Sequence, residues 1–329
     1  MLLVYRYRVK SLTGLLNKQA RACNFVWNFC NDTQRHALQW NKRWPSGFDL
    51  NRLTAGSSKE LALHAGTLNA VCEQYAKSRR QKNRPYLRWR GRRSLGWVPL
   101  KGRDLKREGV AFRFAGNTFR VFHSRPLPQG KIRDGTNFSC DACGHWFLNV
   151  CVEIPQSQAR PVRSAIGIDL GLKDFAALST GEKIENPRLL RQLADQLASA
   201  QRARKRRQAT RIHARITHAR LDFHHKLSTR IVREFDYVAV GNVNAAGLAK
   251  TRLAKSVLDA GWSSFRSILR YKATAHGVWY EEVNESFSSR VCSSCAAKTG
   301  PQGIAINSAQ NILFRSGHRT PAEGIPALS

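Results

Sequence analysis

The chain opens with "LLVYRYRVKS", where apolar and basic residues alternate with period two, and this predicts a β-strand with one solvated basic face. From Leu12 to about His36 the apolar spacing changes to three and four, through Leu15, Leu16, Ala20, Cys23, Phe25 to Trp27 and Cys30, which predicts a helix. "WNKRWPSGFDLN" reads as a loop by its Pro and Gly, Asn51 starts the next helix, and another helical stretch runs from about Ser58 to Gln81. A small helical domain is therefore inserted after one strand. Residues 103–155 return to short alternating runs, "GVAFRFAG", "NTFRVFHS" and "HWFLNVCVEI", as in a small antiparallel barrel or sheet.

The second half has a different rhythm. Ala165 to Leu170 is a continuous apolar run that delivers one carboxylate, Asp169, into a turn at Gly171, and Asp174 to Leu178 is the returning strand. A long stretch almost without helix breakers follows from Leu189 to Glu234. "DYVAVGNVNAAGL" is a strand leading into a loop, "LAKSVLDAGWSSFRSILRYKATAHG" an amphipathic helix, and "VWYEEVN" a short strand. This order describes an α/β core with Asp169 on its first strand.

Composition adds the partner. The 329 residues suggest two or three domains, and 55 Lys plus Arg against 22 Asp plus Glu leave a formal charge of +33. Such an excess repels itself unless a polyanion neutralises it, and nucleic acid is the usual one. No apolar run approaches the ~18 residues of a spanning helix, and the start lacks the pattern of a secretory signal, so no membrane partner and a cytoplasmic location are expected. Cys23, Cys30, Cys72 and Cys151 sit singly in apolar stretches, and Cys140 to Cys143 and Cys292 to Cys295 are CxxC pairs, so a disulfide framework is not expected.

Two stretches concentrate the positive charge. From Arg79 to Gly102, Arg84, Arg88, Arg90, Arg92, Arg93 and Lys101 are interleaved with Trp89 and Trp97. This is either a solvated linker whose aromatics pack on the next domain or, as we prefer, a nucleic-acid surface where Arg meets phosphates and rings stack on bases. In the long helical stretch Arg202, Arg204, Lys205, Arg206, Arg207, Arg211 and Lys226 have few acids to pair with, which again favours a phosphate backbone; Arg125 and Lys131 join this group. His64, Thr67, Asn69 and Gln74 are candidates for reading base edges.

A mixed α/β core that brings acids from different strands to one point is the design of two-metal nucleases. The two Mg²⁺ ions, about 4 Å apart, need about three carboxylates. Asp169 is one of them. The strand "DYVAV" ends instead in Gly241 and Asn242, and "GIAINSAQNIL" offers Ala305 and Asn307.

The motifs "IGIDLGLKDFAALSTGEKIENP", "HKLSTRIVRE", "AVGNVNAAGLAK", "LAKSVLDAGWSSFRSILRYKA", "CSSC" and "NSAQNIL" resemble the TnpB family of transposon-encoded RNA-guided DNA nucleases, related to type V CRISPR effectors. The resemblance implies a RuvC-like ribonuclease H fold, an N-terminal β-barrel (wedge) domain interrupted by a helical recognition domain, a guide RNA, and double-stranded target DNA with a short adjacent motif. The implied boundaries are 1–11 and 96–160 for the wedge, 12–95 for the recognition domain, 161–288 and 305–329 for the RuvC-like domain, and 289–304 for a degenerate zinc-finger loop.

Carried over by position, the family's first catalytic Asp is Asp169, while its Glu falls on Gly241 and its last Asp on Ala305. Asp259, Glu281, Glu282 and Glu285 lie nearby, but the register of the motifs argues against their moving in. Cys292 and Cys295 supply two of the four ligands a structural zinc needs, with Cys140, Cys143 and His318 as weaker completions, so zinc is not expected and no cofactor is required beyond the bound guide RNA. The sequence thus predicts a nuclease-inactive, RNA-guided repressor in a bacterial cytoplasm, associated with the nucleoid. The alternatives are a Mg²⁺-dependent endonuclease with a rearranged carboxylate site, and a decayed transposon remnant.

Overall fold

The alternating first segment forms β1 (Leu2–Val9) in the computed structural model, which describes residues 1–81, 83–155, 157–295 and 305–317. Two units are distinguished, Met1–Pro155 and Gln156–Ser329. In the first, α1 (Thr13–Gln39), α2 (Gly47–Leu53) and α3 (Ala65–Gln81) intervene between β1 and β2 (Trp97–Pro99). Helix α2 begins four residues before Asn51, because Ser46 accepts the Asp49 backbone N–H at 3.2 Å while Asp49 accepts the Ser46 N–H at 2.8 Å, a reciprocal cap. The stretch from Ser58 is helical only from Ala65. Turns precede it, and Ala62 takes a left-handed conformation at φ 48°.

The remaining strands of this unit are β3 (Lys106–Glu108), β4 (Ala111–Phe114), β5 (Asn117–Phe122), β6 (Lys131–Ile132), β7 (Asn137–Cys140) and β8 (Trp146–Glu153). They pair antiparallel in the order β2-β7-β8-β1-β5-β4-β3, with β6 also on β8. The path ends at β2 and β3. Tyr7, Val9, Phe119, Val121, Phe138 and Leu148 turn inward to a core that also takes Leu16, Val26 and Tyr75 from the helices.

The second unit is built on β9 (Ala165–Leu170), β10 (Asp174–Leu178), β11 (Lys183–Glu185), β12 (Tyr237–Gly241) and β13 (Trp279–Val283), ordered β11-β10-β9-β12-β13. β9, β12 and β13 are mutually parallel, and β10 pairs antiparallel with both β9 and β11. Every residue of β12 is buried, as both faces of a parallel sheet are covered. Ile166, Ile168, Val238 and Val240 pack on one face with α6 (Arg206–Glu234) and α9 (Trp262–His276). Tyr237, Ala239 and Val283 pack on the other with Ile312 and Leu313 of α10 (Ala305–Arg315).

The stretch 189–234 is broken rather than continuous. It forms α4 (Leu189–Gln192), α5 (Ala194–Arg202) and α6, with Arg204 at φ 53° reversing the chain. Leu197 and Ala200 thereby bury against Ile212 and Ile216. In one straight helix Leu197 and Ile212 would stand about 22 Å apart and stay wet. The next predicted helix is likewise split, into α8 (Ala254–Ala260) and α9, by Gly261 at φ 66°; the short α7 (Ala245–Leu248) precedes them. Among the described residues no helix is long and apolar enough to cross a membrane.

Candidate active site and nucleic-acid surfaces

The parallel strands bring their C-terminal ends to one rim. Ile168 of β9 pairs with Val240 of β12, and Gly241 pairs with Val283 of β13. By the two-residue period of strands, Asp169 and Gly241 fall on the α10 face. At that rim Gly167 lets α10 approach closely, since a Cβ there would collide with the Ala309 carbonyl oxygen. Ala305, where the third acid was sought, is the first residue of α10.

A carboxylate from another part of the chain reaches the space beside Gly241. A Cβ built on Gly241 would meet Glu285 Oε2 at 2.5 Å, so the Glu285 side chain fills the space that a longer residue 241 would enter. Glu285 lies two residues beyond β13, and its backbone N–H donates to Asn242 Oδ1 at 3.3 Å. Burial first, and then the charge of Glu285, push the Asp169 carboxyl up to about 7. Burial raises Glu285 as well, opposed by the charge of Arg266. Glu285 Oε2 is buried and has no hydrogen-bond partner among the described residues. Two buried carboxylates, one raised by the charge of the other and one with an orphaned oxygen, offer hard oxygen donors of the kind a divalent cation takes. The motif register had argued against Glu285. Register follows places along the chain, whereas Glu285 reaches the rim from just past the neighbouring strand. The signal available in sequence was its parity with Val283 just past a short strand.

Around this pair the described residues contain no group of three or more His, Cys, Asp or Glu placed to hold a metal. Asp259 is engaged by Arg220 at 3.5 Å and by the Leu190 N–H at 2.9 Å, and Glu282 by Arg266 and Arg270. Asn307 and Asn311 of α10 donate to backbone carbonyls of residues 288 and 291, tying that loop to the helix. Cys292 and Cys295 are free thiols, and His318 lies outside the described residues.

The arginine-rich segment is held in place by α1. Asn31 donates to the Leu87 carbonyl at 2.6 Å and accepts its N–H at 2.9 Å; Asn28 does the same for Arg90 at 2.7 and 2.8 Å, and Trp27 Nε1 donates to the Arg88 carbonyl. The Arg90 guanidinium contacts the rings of both Trp27 and Trp97, at 4.3 and 4.8 Å, where the two rings meet edge to face, so Arg90 and Trp97 are engaged internally. Arg84, Arg88, Trp89, Arg92 and Arg93 are exposed along a cleft of about 1270 Å³. Sequence reasoning missed the clamp; a buried Asn31 on an apolar helix stripe, which must find partners, was its signal.

Other candidates are spread out. Lys101 is paired with Glu73 and Asp134, and Lys226 with Asp222 at 2.7 Å. Arg125 stacks on Tyr5, and Lys131 is exposed on β6. Arg202, Arg204, Lys205, Arg206, Arg207 and Arg211 gather, exposed, where α5 turns into α6, with no acid in the first turn of α6 to offset them. The positive end of the helix dipole adds to this charge. Of the proposed base readers, Thr67 is buried, and His64 packs on Phe114 with its Nδ1 3.3 Å from Asp104. Asn69 is half-buried, and Gln74 borders a cavity of about 440 Å³.

Comparison with known proteins finds two family models that match parts of the chain. Residues 149–252 match the OrfB_IS605 family, described as "Probable transposase", and residues 262–321 match the Cas12f1-like TNB domain. A Streptomyces pristinaespiralis protein named "Putative RNA-guided DNA endonuclease" is 39% identical over 58% of this chain and 54% of its own length, so this chain spans about half of that relative. The Escherichia coli K12 relative InsQ, given the same description, is 22% identical over 94% of this chain and 90% of its own. The fold resembles that of a chain in a cryo-EM structure of a Cas12f1–sgRNA–target DNA complex, with a TM-score of 0.57 at 10% identity, covering 91% of this chain and 82% of that one. These relatives overturn the expectation of a protein without enzymatic activity, since they are named as endonucleases.

Proposed function

We propose that this chain is an RNA-guided, divalent-metal-dependent DNA endonuclease of the TnpB type, with a rearranged carboxylate site. The observation that carries this reading is the convergence of Asp169 and Glu285 at the strand ends, with Glu285 filling the space left by Gly241. Asp169 and Glu285 would hold the cation. When bound, it would activate water and stabilise the leaving oxygen of a phosphodiester. The strand order β11-β10-β9-β12-β13 supports a RuvC-like ribonuclease H fold for the second unit. The first unit would supply the wedge sheet and the recognition helices.

In this reading base pairing with a guide RNA gives sequence specificity, and the exposed arginines hold phosphates while the protein reads a short motif beside the target. Occupancy of the matched site precedes cutting and would itself block transcription through a promoter. The test is to sequence the RNA that copurifies with the protein, build its matched target into a plasmid, and incubate the complex with Mg²⁺, Mn²⁺ or EDTA. Cutting that needs metal and disappears in both Asp169→Ala and Glu285→Ala is expected; an intact plasmid in either metal, with the RNA bound, would overturn the proposal.

A further inference from the structure

Glu285 stands outside the sheet, two residues past the end of β13. Loops move more than the strands they extend, so a carboxylate on one needs a tether to stay in a crowded site. Burial and then the charge of Glu285 raise the Asp169 carboxyl, and burial raises that of Glu285, so each ionised group does better in water. The tether is the backbone on either side. Arg315 Nη1, in the last turn of α10, donates to the Asn284 carbonyl at 2.7 Å and to the Ser286 carbonyl at 2.9 Å, so one guanidinium straddles Glu285. The Glu285 N–H donates to Asn242 Oδ1 at 3.3 Å, its carbonyl accepts the Ser288 N–H at 2.9 Å, and the Ser286 N–H donates to Asn284 Oδ1 at 3.0 Å. From the Asn284 carbonyl to the Ser286 carbonyl every backbone polar group therefore has a partner, while the buried Glu285 Oε2 at the centre has none. A turn fixed at all its main-chain groups around an unsatisfied carboxyl oxygen holds that oxygen ready for a ligand.

Arg315 also ends a ladder. Asn307, Asn311 and Arg315 are spaced by four along α10 and so share one stripe of the helix. Asn311 donates to the Ser288 and Val291 carbonyls at 2.8 and 2.7 Å. Asn307 donates to the Val291 carbonyl at 2.7 Å and accepts the Ser293 N–H at 2.8 Å. Ile312 and Leu313 meanwhile pack on Tyr237, Ala239 and Val283 of the sheet. Helix α10 thus grips the sheet with its apolar side and residues 284–293 with its polar stripe, and the place of Glu285 relative to Asp169 is set through one helix.

We propose that Arg315 and Asn242 are positioning residues for the cation site: Arg315 holds the carbonyls before and after Glu285, Asn242 holds the N–H between them, and together they keep the carboxylate in the space beside Gly241. The inference rests on the reading of Asp169 and Glu285 as cation ligands. Arg315 donates to main-chain carbonyls and not to either carboxylate, so its effect travels through where Glu285 sits.

The test uses the full-length protein with its copurifying RNA and titrates Mn²⁺, following the free ion by electron paramagnetic resonance. Binding that is lost in Asp169→Asn reports the site. Arg315→Met, which keeps the aliphatic stem and removes both donated bonds, should weaken that binding roughly 10- to 100-fold, the range for a residue that orients a metal ligand. Arg315→Lys, which keeps a donor at the end of a similar stem, should recover most of it. In a Glu285→Gln background the same Arg315→Met change should cost almost nothing further, because the residue it acts through is gone. Hydrogen exchange should quicken over residues 284–288 in Arg315→Met and stay as in the wild type over β12. Equal Mn²⁺ affinity in Arg315→Met and the wild type would overturn the proposal. So would an undiminished loss in the Glu285→Gln background, which would make Arg315 a general support of the fold. Should Arg315→Met not fold, Asn242→Ala, which releases only the Glu285 N–H, takes its place in each measurement. If the wild type binds no Mn²⁺ through Asp169, the reading of the site as a metal centre falls; exchange then decides the positioning by itself, and an unchanged rate over 284–288 overturns that too.

Discussion

Glu285 Oε2 lies where the side chain of residue 241 would begin, 2.5 Å from a Cβ built on Gly241. The two positions therefore compete for one space. Gly241→Glu should not simply restore a third acid; it should displace Glu285 and lower metal-dependent cutting, whereas Gly241→Glu combined with Glu285→Gly should recover part of it. Plasmid cleavage rates of the single and double variants check this, and a single variant that cuts faster than the wild type would contradict it.

The pH dependence of metal-free stability follows from Asp169. Its carboxyl is pushed up to about 7 from an ordinary 3.8, so the folded chain binds that proton more tightly than the unfolded chain. The stabilisation is fully present below pH 3.8 and is lost as the pH rises to about 7. In EDTA, the melting temperature of the wild type should therefore fall relative to Asp169→Asn across that window. Circular dichroism melts of both proteins would measure the difference.

The cations at the turn between α5 and α6 predict a salt effect. Replacing Arg204, Lys205, Arg206 and Arg207 by Gln should reduce the log–log salt slope of nucleic-acid binding by about one for each phosphate no longer neutralised. Titrations of the copurifying RNA at several salt concentrations give the slope, and an unchanged one would place the turn away from nucleic acid.

The clamp on the arginine segment can be released without touching its charge. Asn31→Ala frees both backbone groups of Leu87, at a cost of about 1 to 3 kcal/mol for each buried partner left unsatisfied. Asn28→Ala does the same at Arg90. Both should lower RNA affinity while net charge stays constant, and hydrogen exchange should show residues 87–90 opening faster.

Gly167→Ala should destabilise the second unit by about 1 to 3 kcal/mol or more, because the added methyl meets the Ala309 carbonyl and must push α10 off the sheet. Urea denaturation followed by tryptophan fluorescence would read the loss.

The sequence made much of the second unit readable. The apolar runs at 165–170 and 237–241 are strands because buried parallel strands need little else. The reversal at Arg204 was hidden, since nothing near it is Gly or Pro; burial of Leu197 and Ala200 against Ile212 and Ile216 selects the bend, and that pairing exists only in three dimensions. Glu285 was hidden for a similar reason, because its role depends on a neighbour 44 residues earlier in the chain. The engagement of Arg90 and Lys101 was also out of reach, as an arginine aimed at phosphate and one packed against Trp27 and Trp97 read alike in a basic run.

The parallel pairing of β12 with β13 bears on how such chains change over time. Strands that run the same way deliver their ends to a common edge, so an acid lost from one end can be replaced from the next without moving the place where chemistry would occur. An aligned column then records a deletion while the edge keeps its charge. For proteins built this way, the unit that selection inspects is the edge of the sheet, and a glycine in a familiar column marks a vacancy only after the adjacent strand has been checked for a tenant.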